Sequence, residues 1–366
     1  MRYNHIDNSI VKDAFAIAAI ALALMFSGCH SNGKPRLRFG CLPAPTPRTR
    51  WPDPNNLGPH CYNYNPLEKG GILYTCKAGH IDLTHVRTVA DTTRYLVMKT
   101  HETLMKNDIE FSFKFHLDRS RHIVRLTYPE TWEGLPQKKK EQIANDISLN
   151  LGQYLAYTAS GWHEILTWFG YHSMFLMPEF NSAFSWEDVF SNLLGVRLAV
   201  EALEDTEHTY DRAMTLAINR ELQTLGVQSG HTAKLAAEKM KGKWFSGYLM
   251  VDMKKRNLDV GLDDGYVTPT IVPSLPQCAE TKPQTYPAPN LDVLSKYGFS
   301  MQYEIIPKES GKSKILKIVY PGVERKKWIE PTIHLATIMD YITKHAVEKY
   351  GFDIAVPYEP NNKQKE

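Results

Sequence analysis

Cysteine, excess charge of one sign and long apolar runs are all scarce in this sequence of 366 residues. Lysine and arginine outnumber aspartate and glutamate by only 43 to 40, which leaves a net charge of +3. A dedicated nucleic-acid binder needs a strongly basic face, so this balance argues against one. The apolar run at residues 14–26 is shorter than the roughly 20 residues that a membrane-spanning helix requires.

The setting of that apolar run is typical of an export signal. Arg2 and Lys12 precede it, and residues 26–29 are Phe-Ser-Gly-Cys. Small residues just before a cysteine are typical of bacterial lipoprotein signals, in which the cysteine is acylated and becomes the first mature residue. We therefore predict a signal peptide at residues 1–28 and lipid (palmitate) attachment at Cys29. An ordinary cleaved signal and an uncleaved anchor are the alternatives.

Acylation at Cys29 predicts a protein that is held at a membrane by its lipid chains. The next residue, His30, is not the aspartate that resembles an inner-membrane retention signal. In a Gram-negative cell we therefore expect attachment to the outer membrane, facing the periplasm. The sequence identifies no protein partner.

The cysteine count also fits an exported protein, because an even number remains once the predicted lipid site is set aside. These four are Cys41, Cys61, Cys76 and Cys278. Two disulfides are the simplest expectation, and three pairings are possible. Cys41 with Cys61 would close the proline-rich entry, whereas Cys76 with Cys278 would join distant parts of the chain. A nucleophilic Cys76 beside His80 is the alternative use of a thiol.

Proline marks the boundaries of the predicted globular part. Residues 30–60 contain seven prolines and little apolar periodicity, so we expect a lipid-attached tether and loose entry segment over residues 29–69. A helix-rich domain is predicted for residues 70–275. Residues 276–356 are expected to form a proline-rich crossing, a hairpin and a final helix packed on the same domain, and residues 357–366 a polar tail.

Hydrophobic spacing predicts both helices and strands. Helices are predicted at residues 81–105, 143–169, 186–203, 210–225, 232–240 and 332–350. Alternating apolar residues predict one hairpin over residues 109–128 and a second that pairs residues 299–306 with residues 314–320. With 43% hydrophobic residues to build a core, we expect an α+β fold: a helix-rich central domain with two antiparallel β-hairpins, secreted and disulfide-containing.

The first motif that suggests chemistry lies at the start of the first predicted helix. Asp82 and His85 are three residues apart and share one helical face, and His80 can fold back from the preceding turn. Two imidazoles and a carboxylate suit a divalent metal, zinc above all, with one open position for catalysis. The alternative is structural: Asp82 caps the helix and His85 forms a hydrogen bond in the core.

The second motif begins like the zinc-peptidase sequence His-Glu-x-x-His. His163 and Glu164 match its start, but Thr167 occupies the position of the second histidine, so an ordinary zinc peptidase is not expected. If the two motif helices pack side by side, Glu164 or His163 can transfer the proton for a metal held by the first motif. The alternative is a structural Glu164 bonded to Arg87 or Trp168.

A third motif predicts the start of a helix. Ser185 is the expected N-cap, and Glu187 and Asp188 lie in the first turn, where carboxylates favour the helix dipole. Ser191 and Asn192 are expected to point inward, either to bond neighbouring helices or to contact a ligand.

Together the three motifs resemble an uncharacterised family of bacterial lipoproteins that is defined by a domain of unknown function. The matching blocks are residues 79–87, 162–170, 182–188 and 191–195. The resemblance covers roughly residues 70–275, and it departs from the family pattern at Trp186, where a proline is expected. It implies the location and the identity of the domain, and it implies no reaction.

Two functions of different class follow from these residues. One is a metal-dependent hydrolase of cell-envelope material in which His80, Asp82 and His85 hold the metal and Glu164 or His163 transfers the proton. The other is a noncatalytic envelope lipoprotein that binds a protein or ligand, in which the same groups form a hydrogen-bonded network that fixes helix packing. Only the first requires the motif helices to be adjacent and to open onto a pocket.

Overall fold

The computed structural model describes residues 33–115, 118–170, 172–173, 177–178, 180–279, 281–322 and 326–355. The predicted signal peptide, Cys29 and the polar tail lie outside these residues. The described part contains nine helices and eleven short strands, which confirms the predicted α+β class. None of its helices is long and apolar enough to span a membrane.

The elements are numbered here in chain order. The helices are α1 (Leu83–Met105), α2 (Gln137–Trp168), α3 (Asp188–Glu204), α4 (Tyr210–Thr224), α5 (Gly230–Lys239), α6 (Asp292–Lys296), α7 (Lys312–Val319), α8 (Pro331–Tyr350) and α9 (Phe352–Ala355). The strands are β1 (Ile72–Thr75), β2 (Gly79–Asp82), β3 (Glu110–Phe113), β4 (Arg121–Thr127), β5 (His172–Ser173), β6 (Met177–Pro178), β7 (Phe245–Gly247), β8 (Val251–Met253), β9 (Tyr266–Val267), β10 (Tyr286–Pro287) and β11 (Ser300–Ile306). All six helices predicted from apolar spacing are present, with ends shifted by a few residues.

Helix α1 lies at the centre of the fold, between α2 and α3. Its start is set by Asp82, whose side chain accepts a hydrogen bond from the backbone N–H of Thr84, as predicted for an N-cap. Glycines allow its neighbours to approach closely. A Cβ atom on Gly195 of α3 would lie 2.6 Å from the carbonyl oxygen of Val86, and one on Gly152 of α2 would overlap Val97.

The predicted hairpin at residues 109–128 is confirmed by the antiparallel pair β3–β4. The second predicted hairpin is wrong. Strand β11 pairs with the other edge of β4 and completes a three-stranded sheet, and Lys312–Val319 forms helix α7. Ile315 and Val319 are four residues apart, a helical spacing that sequence analysis took for strand alternation. The edge of β4 opposite β3 has backbone groups that β3 leaves unpaired, and β11 forms its hydrogen bonds there.

Residues of the proline-rich entry segment contact helix α1 directly. Arg38 donates to Glu68 Oε1 at 2.7 Å and to Asp91 Oδ2 on α1 at 2.6 Å. His60 Nε2 lies 2.9 Å from Asp91 Oδ1. These buried charges satisfy one another and hold the entry segment against α1.

One of the two expected disulfides is present. Cys76 and Cys278, 202 residues apart, form a bridge that ties the proline-rich crossing to the β1–β2 turn. Cys41 and Cys61 are free thiols in separate environments. The Cys61 Sγ accepts a hydrogen bond from Asn65 at 3.2 Å. Burial raises the pKa of Cys41 to about 12, which keeps it a neutral thiol.

Candidate acid–base site

The first and third motifs meet where α1 and α3 pack together. His85 Nδ1 lies 3.0 Å from Asp188 Oδ1 in the first turn of α3. Burial lowers the pKa of His85, but the charges of Asp82 and Asp188 outweigh burial and raise it well above its usual value. His85 is therefore an imidazolium at neutral pH, with its side chain about a quarter exposed.

Glu164 on α2 approaches the same cluster from another side. Its Oε2 atom accepts a hydrogen bond of 2.8 Å from the backbone N–H of Phe184, and only 6% of the residue is exposed. Burial, and then the charge of Asp188, raise the pKa of Glu164 to about 7, against the opposing charges of His163 and His85. Near neutral pH this carboxyl group can either donate or accept a proton.

A buried hydrogen-bond chain fixes Asp188 in place. Its Oδ2 atom accepts from the backbone N–H of Ser185 at 2.8 Å and from the Ser185 hydroxyl at 2.9 Å. The same hydroxyl lies 2.8 Å from Glu187 Oε1. Burial, and then the charge of Asp188, raise the pKa of Glu187 well above its usual range. Because a hydroxyl has a single hydrogen, Ser185 donates to one of the two carboxyl groups at a time.

This geometry corrects the expected role of Ser185. Helix α3 begins at Asp188, with Glu187 at the N-cap position, and Ser185 lies outside the helix. Its hydroxyl forms hydrogen bonds with the two buried carboxyl groups of the third motif, Glu187 and Asp188. Ser191 does point inward as predicted, where its Oγ accepts the backbone N–H of Asp82 at 3.0 Å.

Asp82 acts as a helix cap and as an anchor for the entry segment. Oδ1 accepts from Thr84 N at 2.6 Å, and Oδ2 accepts from Cys41 N at 3.1 Å. The backbone at Gly40 lies directly over the pair formed by Asp82 and His85. A Cβ atom on Gly40 would be 2.8 Å from Asp82 Oδ2 and 3.1 Å from His85 Nε2.

His80 has a structural role in this fold. It lies on β2, and its Nε2 atom donates to the carbonyl oxygen of Ala233 at 3.0 Å, while Nδ1 accepts from Trp186 Nε1 at 3.1 Å. Burial lowers the pKa of His80 to about 4, so the ring is neutral. Both nitrogens are occupied, and His80 does not join Asp82 and His85 as a ligand. Across the described residues, no three His, Cys, Asp or Glu side chains are placed to hold a metal ion.

His163 and Glu164 point to different partners. His163 Nδ1 lies 3.8 Å from Asp118 Oδ2, in the segment that leads into β4. Thr167, which replaces the second histidine of the zinc-peptidase motif, donates its hydroxyl to the carbonyl oxygen of His163 at 2.9 Å. Of the second motif, therefore, Glu164 alone reaches towards Asp188 and His85.

Glu164 also forms part of the wall of a cavity of about 150 Å³ between α2, α3 and α8. The lining is mostly apolar, and it includes Glu164, Val189, Asn192, Leu335 and Met339. A cavity of this volume takes a group about the size of benzene. It brings a polar carboxyl and an amide to one small apolar space, an arrangement typical of ligand sites.

The family of the chain can now be stated. A family model described as "Protein of unknown function (DUF4056)" matches residues 55–261. The chain belongs to the DUF4056 family. This confirms the predicted resemblance to a family that is defined by a domain of unknown function. No curated protein and no solved structure matches the chain.

The matched region of this DUF4056 member contains the whole charged cluster: Asp82, His85, Glu164 and Asp188. It ends before α8, which supplies one wall of the cavity. Glu187 and Asp188 were predicted only as residues of a helix start and not as part of the site. The available signal was the position of two acidic residues inside an otherwise apolar block, which indicates buried carboxyl groups.

Proposed function

We propose that this protein is an acid–base hydrolase of cell-envelope material, with Glu164 as the group that exchanges a proton with the ligand. The observation that carries this proposal is a carboxyl group with a pKa of about 7 on the wall of a mainly apolar cavity. A strongly shifted pKa in a concave site is a physical indication of function. An acid or base is most effective when its pKa is near the working pH.

The neighbouring groups have defined parts in this proposal. The apolar walls, Val189, Leu335 and Met339, hold a nonpolar part of the substrate, and the amide of Asn192 orients a polar group beside Glu164. Asp188 raises the pKa of Glu164, and the charge of His85 limits that rise. Asp188 and His85 are thus positioning residues that tune the proton affinity of Glu164.

Activity tests this role directly. The full chain is incubated with isolated cell-envelope fractions, and released fragments are detected by mass spectrometry across a pH series. We expect the rate to change with an apparent pKa near 7 and the Glu164→Gln variant to lose activity by about 100-fold or more. Glu133→Gln, at an exposed position, is the matched control.

If Glu164→Gln retains the parent rate, the acid–base proposal is wrong. If neither protein releases fragments but both retain a ligand from the same fractions, the noncatalytic binding function is supported instead. A pH profile that does not change between parent and variant would also contradict a proton-transfer role for Glu164.

We further propose that the chain is an exported lipoprotein, acylated at Cys29 and attached to the outer membrane on its periplasmic side. The sequence pattern supports this location, and a disulfide between Cys76 and Cys278 fits an oxidising compartment. Cys29→Ser should release the protein from the membrane fraction, whereas Cys61→Ser should not. Persistent detergent-only extraction of Cys29→Ser would contradict the lipid anchor.

A metal-assisted form of the hydrolase is the second candidate, and one observation favours it. The charges of Asp82 and Asp188 are the two largest that act on His85, so that one imidazole lies close to two carboxyl groups. Zinc suits the imidazole and carboxylate donors of His85 and Asp82. Elemental analysis of the parent and His85→Ala decides this: metal lost only in the variant supports the candidate, and a metal-free parent after zinc loading overturns it.

A further inference from the structure

The hairpin β7–β8 carries three adjacent apolar side chains into solvent. Tyr248, Leu249 and Met250 form its tip and are 57%, 82% and 89% exposed. The strands pair antiparallel from Phe245 with Met253 to Gly247 with Val251. Adjacent large apolar residues at this exposure are costly in water and are a sign of an interaction site.

The base of this hairpin is anchored in the fold. Phe245 and Met253 are buried in an apolar cluster with Trp186 and Trp244. The rings of Trp186 and Trp244 are 5.2 Å apart. The tip is therefore carried on a fixed support and is not the exposed end of a frayed segment.

The sequence on both sides of the tip is basic. Within residues 234–254 there are five lysines and two acidic residues. The lysines are Lys234, Lys239, Lys241, Lys243 and Lys254. Lys234, Lys241 and Glu238, together with Tyr248, line a groove of about 420 Å³ against the proline-rich entry segment. The two acidic residues are Glu238, which lies 3.7 Å from Lys234, and Asp252.

We infer that the β7–β8 tip is a membrane-contact site that inserts Tyr248, Leu249 and Met250 into a bilayer while the lysines meet anionic headgroups. Charge complementarity selects the partner: an apolar tip with lysines before and after it in the sequence, and with Lys241 lining a groove beside Tyr248, matches an apolar layer bounded by anionic phosphates. The tip carries only three exposed apolar side chains, which are too few to bury the roughly 800 Å² that each partner buries in a stable protein interface. Tyrosine at the border between the two zones is typical of membrane interfaces.

Vesicle binding tests this inference without any contribution from Cys29. The predicted mature chain, residues 29–366, is used with the substitution Cys29→Ser, so that it carries no acyl group. Sedimentation is measured with phosphatidylcholine vesicles that contain or lack phosphatidylglycerol. We expect binding to the anionic vesicles, weakened by salt, and little binding to the neutral ones.

Two pairs of variants separate the apolar and the charged contributions. Leu249→Ser/Met250→Ser should lower the partition coefficient about tenfold or more, whereas Met98→Ser/Ile109→Ser, which alters apolar residues exposed elsewhere, should not. Lys241→Gln/Lys243→Gln should reduce binding and its salt dependence. Lys138→Gln/Lys139→Gln, at the exposed start of α2, is the charge-matched control.

Depth of insertion gives an independent measurement. In Leu249→Trp, the added tryptophan should be quenched by lipids brominated along their acyl chains, and this quenching should exceed that of the parent. Equal vesicle binding by parent and Leu249→Ser/Met250→Ser would overturn the inference. The inference would also be overturned if the parent did not bind vesicles but formed dimers, and if Leu249→Ser/Met250→Ser abolished those dimers. The tip would then bind a second copy of the chain.

Discussion

Glu164 is the buried carboxyl group to which we assign proton exchange in the proposed function. Its acceptor bond from Phe184 N would suit either a glutamate or a glutamine at this position. What distinguishes the glutamate is its proton, because burial and Asp188 hold its pKa at about 7, above the ordinary value of 4.5. The same shift has a measurable consequence for stability.

Between pH 4.5 and 7 the unfolded chain loses this proton while the folded chain retains it. The raised pKa therefore makes the free energy of unfolding fall as pH rises through this window, by up to about 1.4 kcal/mol per pH unit. Glu164→Gln has no such proton, so its stability relative to the parent should increase from pH 4.5 to 7 and then level off. Urea unfolding over a pH series measures this difference, and two parallel curves would contradict the shift. Glu133→Gln should follow the parent.

At the scale of the elements, the packing of the helices depends on how closely they approach α1. Gly195 lets α3 come so near that a Cβ atom would meet the carbonyl oxygen of Val86 at 2.6 Å, and a backbone atom cannot move aside cheaply. Gly161 on α2, by contrast, has nothing within 4 Å of its Cβ position.

Gly195→Ala should therefore lower the free energy of unfolding by about 1–3 kcal/mol, because α3 must shift away from α1. Gly161→Ala should leave stability unchanged or raise it by about 0.5–1 kcal/mol, since alanine favours a helix interior. Chemical denaturation of both variants checks the contrast. Equal effects at the two positions would show that helix propensity, and not helix contact, controls them.

The contact between the entry segment and α1 predicts an acid-sensitive element. Burial opposes ionisation of Glu68, but the hydrogen bond and charge of Arg38, and the charge of Arg87, outweigh it and lower the pKa of Glu68 to about 2. This group thus contributes stability above pH 4.5, and the contribution is lost as pH falls towards 2.

Glu68→Gln should cost roughly 3 kcal/mol at pH 7, because it leaves buried arginine charge unpaired, and it should flatten the loss of stability below pH 4.5. Circular dichroism followed during acid titration measures both effects. Glu102→Gln, which alters an exposed carboxyl group of α1, should leave the acid midpoint unchanged. If Glu68→Gln loses stability below pH 4.5 in the same way as the parent, Glu68 is not the source of the acid sensitivity.

At the scale of the whole molecule, the Cys76–Cys278 bridge closes a loop across most of the chain. A crosslink between residues 202 apart removes many conformations from the unfolded state. Cys76→Ser/Cys278→Ser should reduce the free energy of unfolding by roughly 2–5 kcal/mol. A reductant should lower the melting temperature of the parent and of Cys61→Ser, but not that of the double variant. An unchanged parent in reductant would contradict a stabilising bridge.

The sequence predicted those features of the fold that depend on interactions between residues close together in the chain. Apolar spacing located the six long helices, and a helix cap was one of the two roles predicted for Asp82, since its partner, Thr84, is only two residues away. The α7 segment was mistaken for a strand because a short apolar pattern fits either structure, and the open edge of β4 decided the outcome. Local patterns carry no information about which edge is free.

By itself the sequence determined the α+β class, the positions of the long helices and the motifs at Asp82–His85 and Glu164. The tertiary structure alone decided what those motifs do. His80, one of the three predicted metal ligands, forms hydrogen bonds with Ala233 and Trp186. Asp188 interacts with His85 and Glu164. The physical reason is that a pKa or a pocket depends on burial and on charges from distant parts of the chain, which only packing brings together.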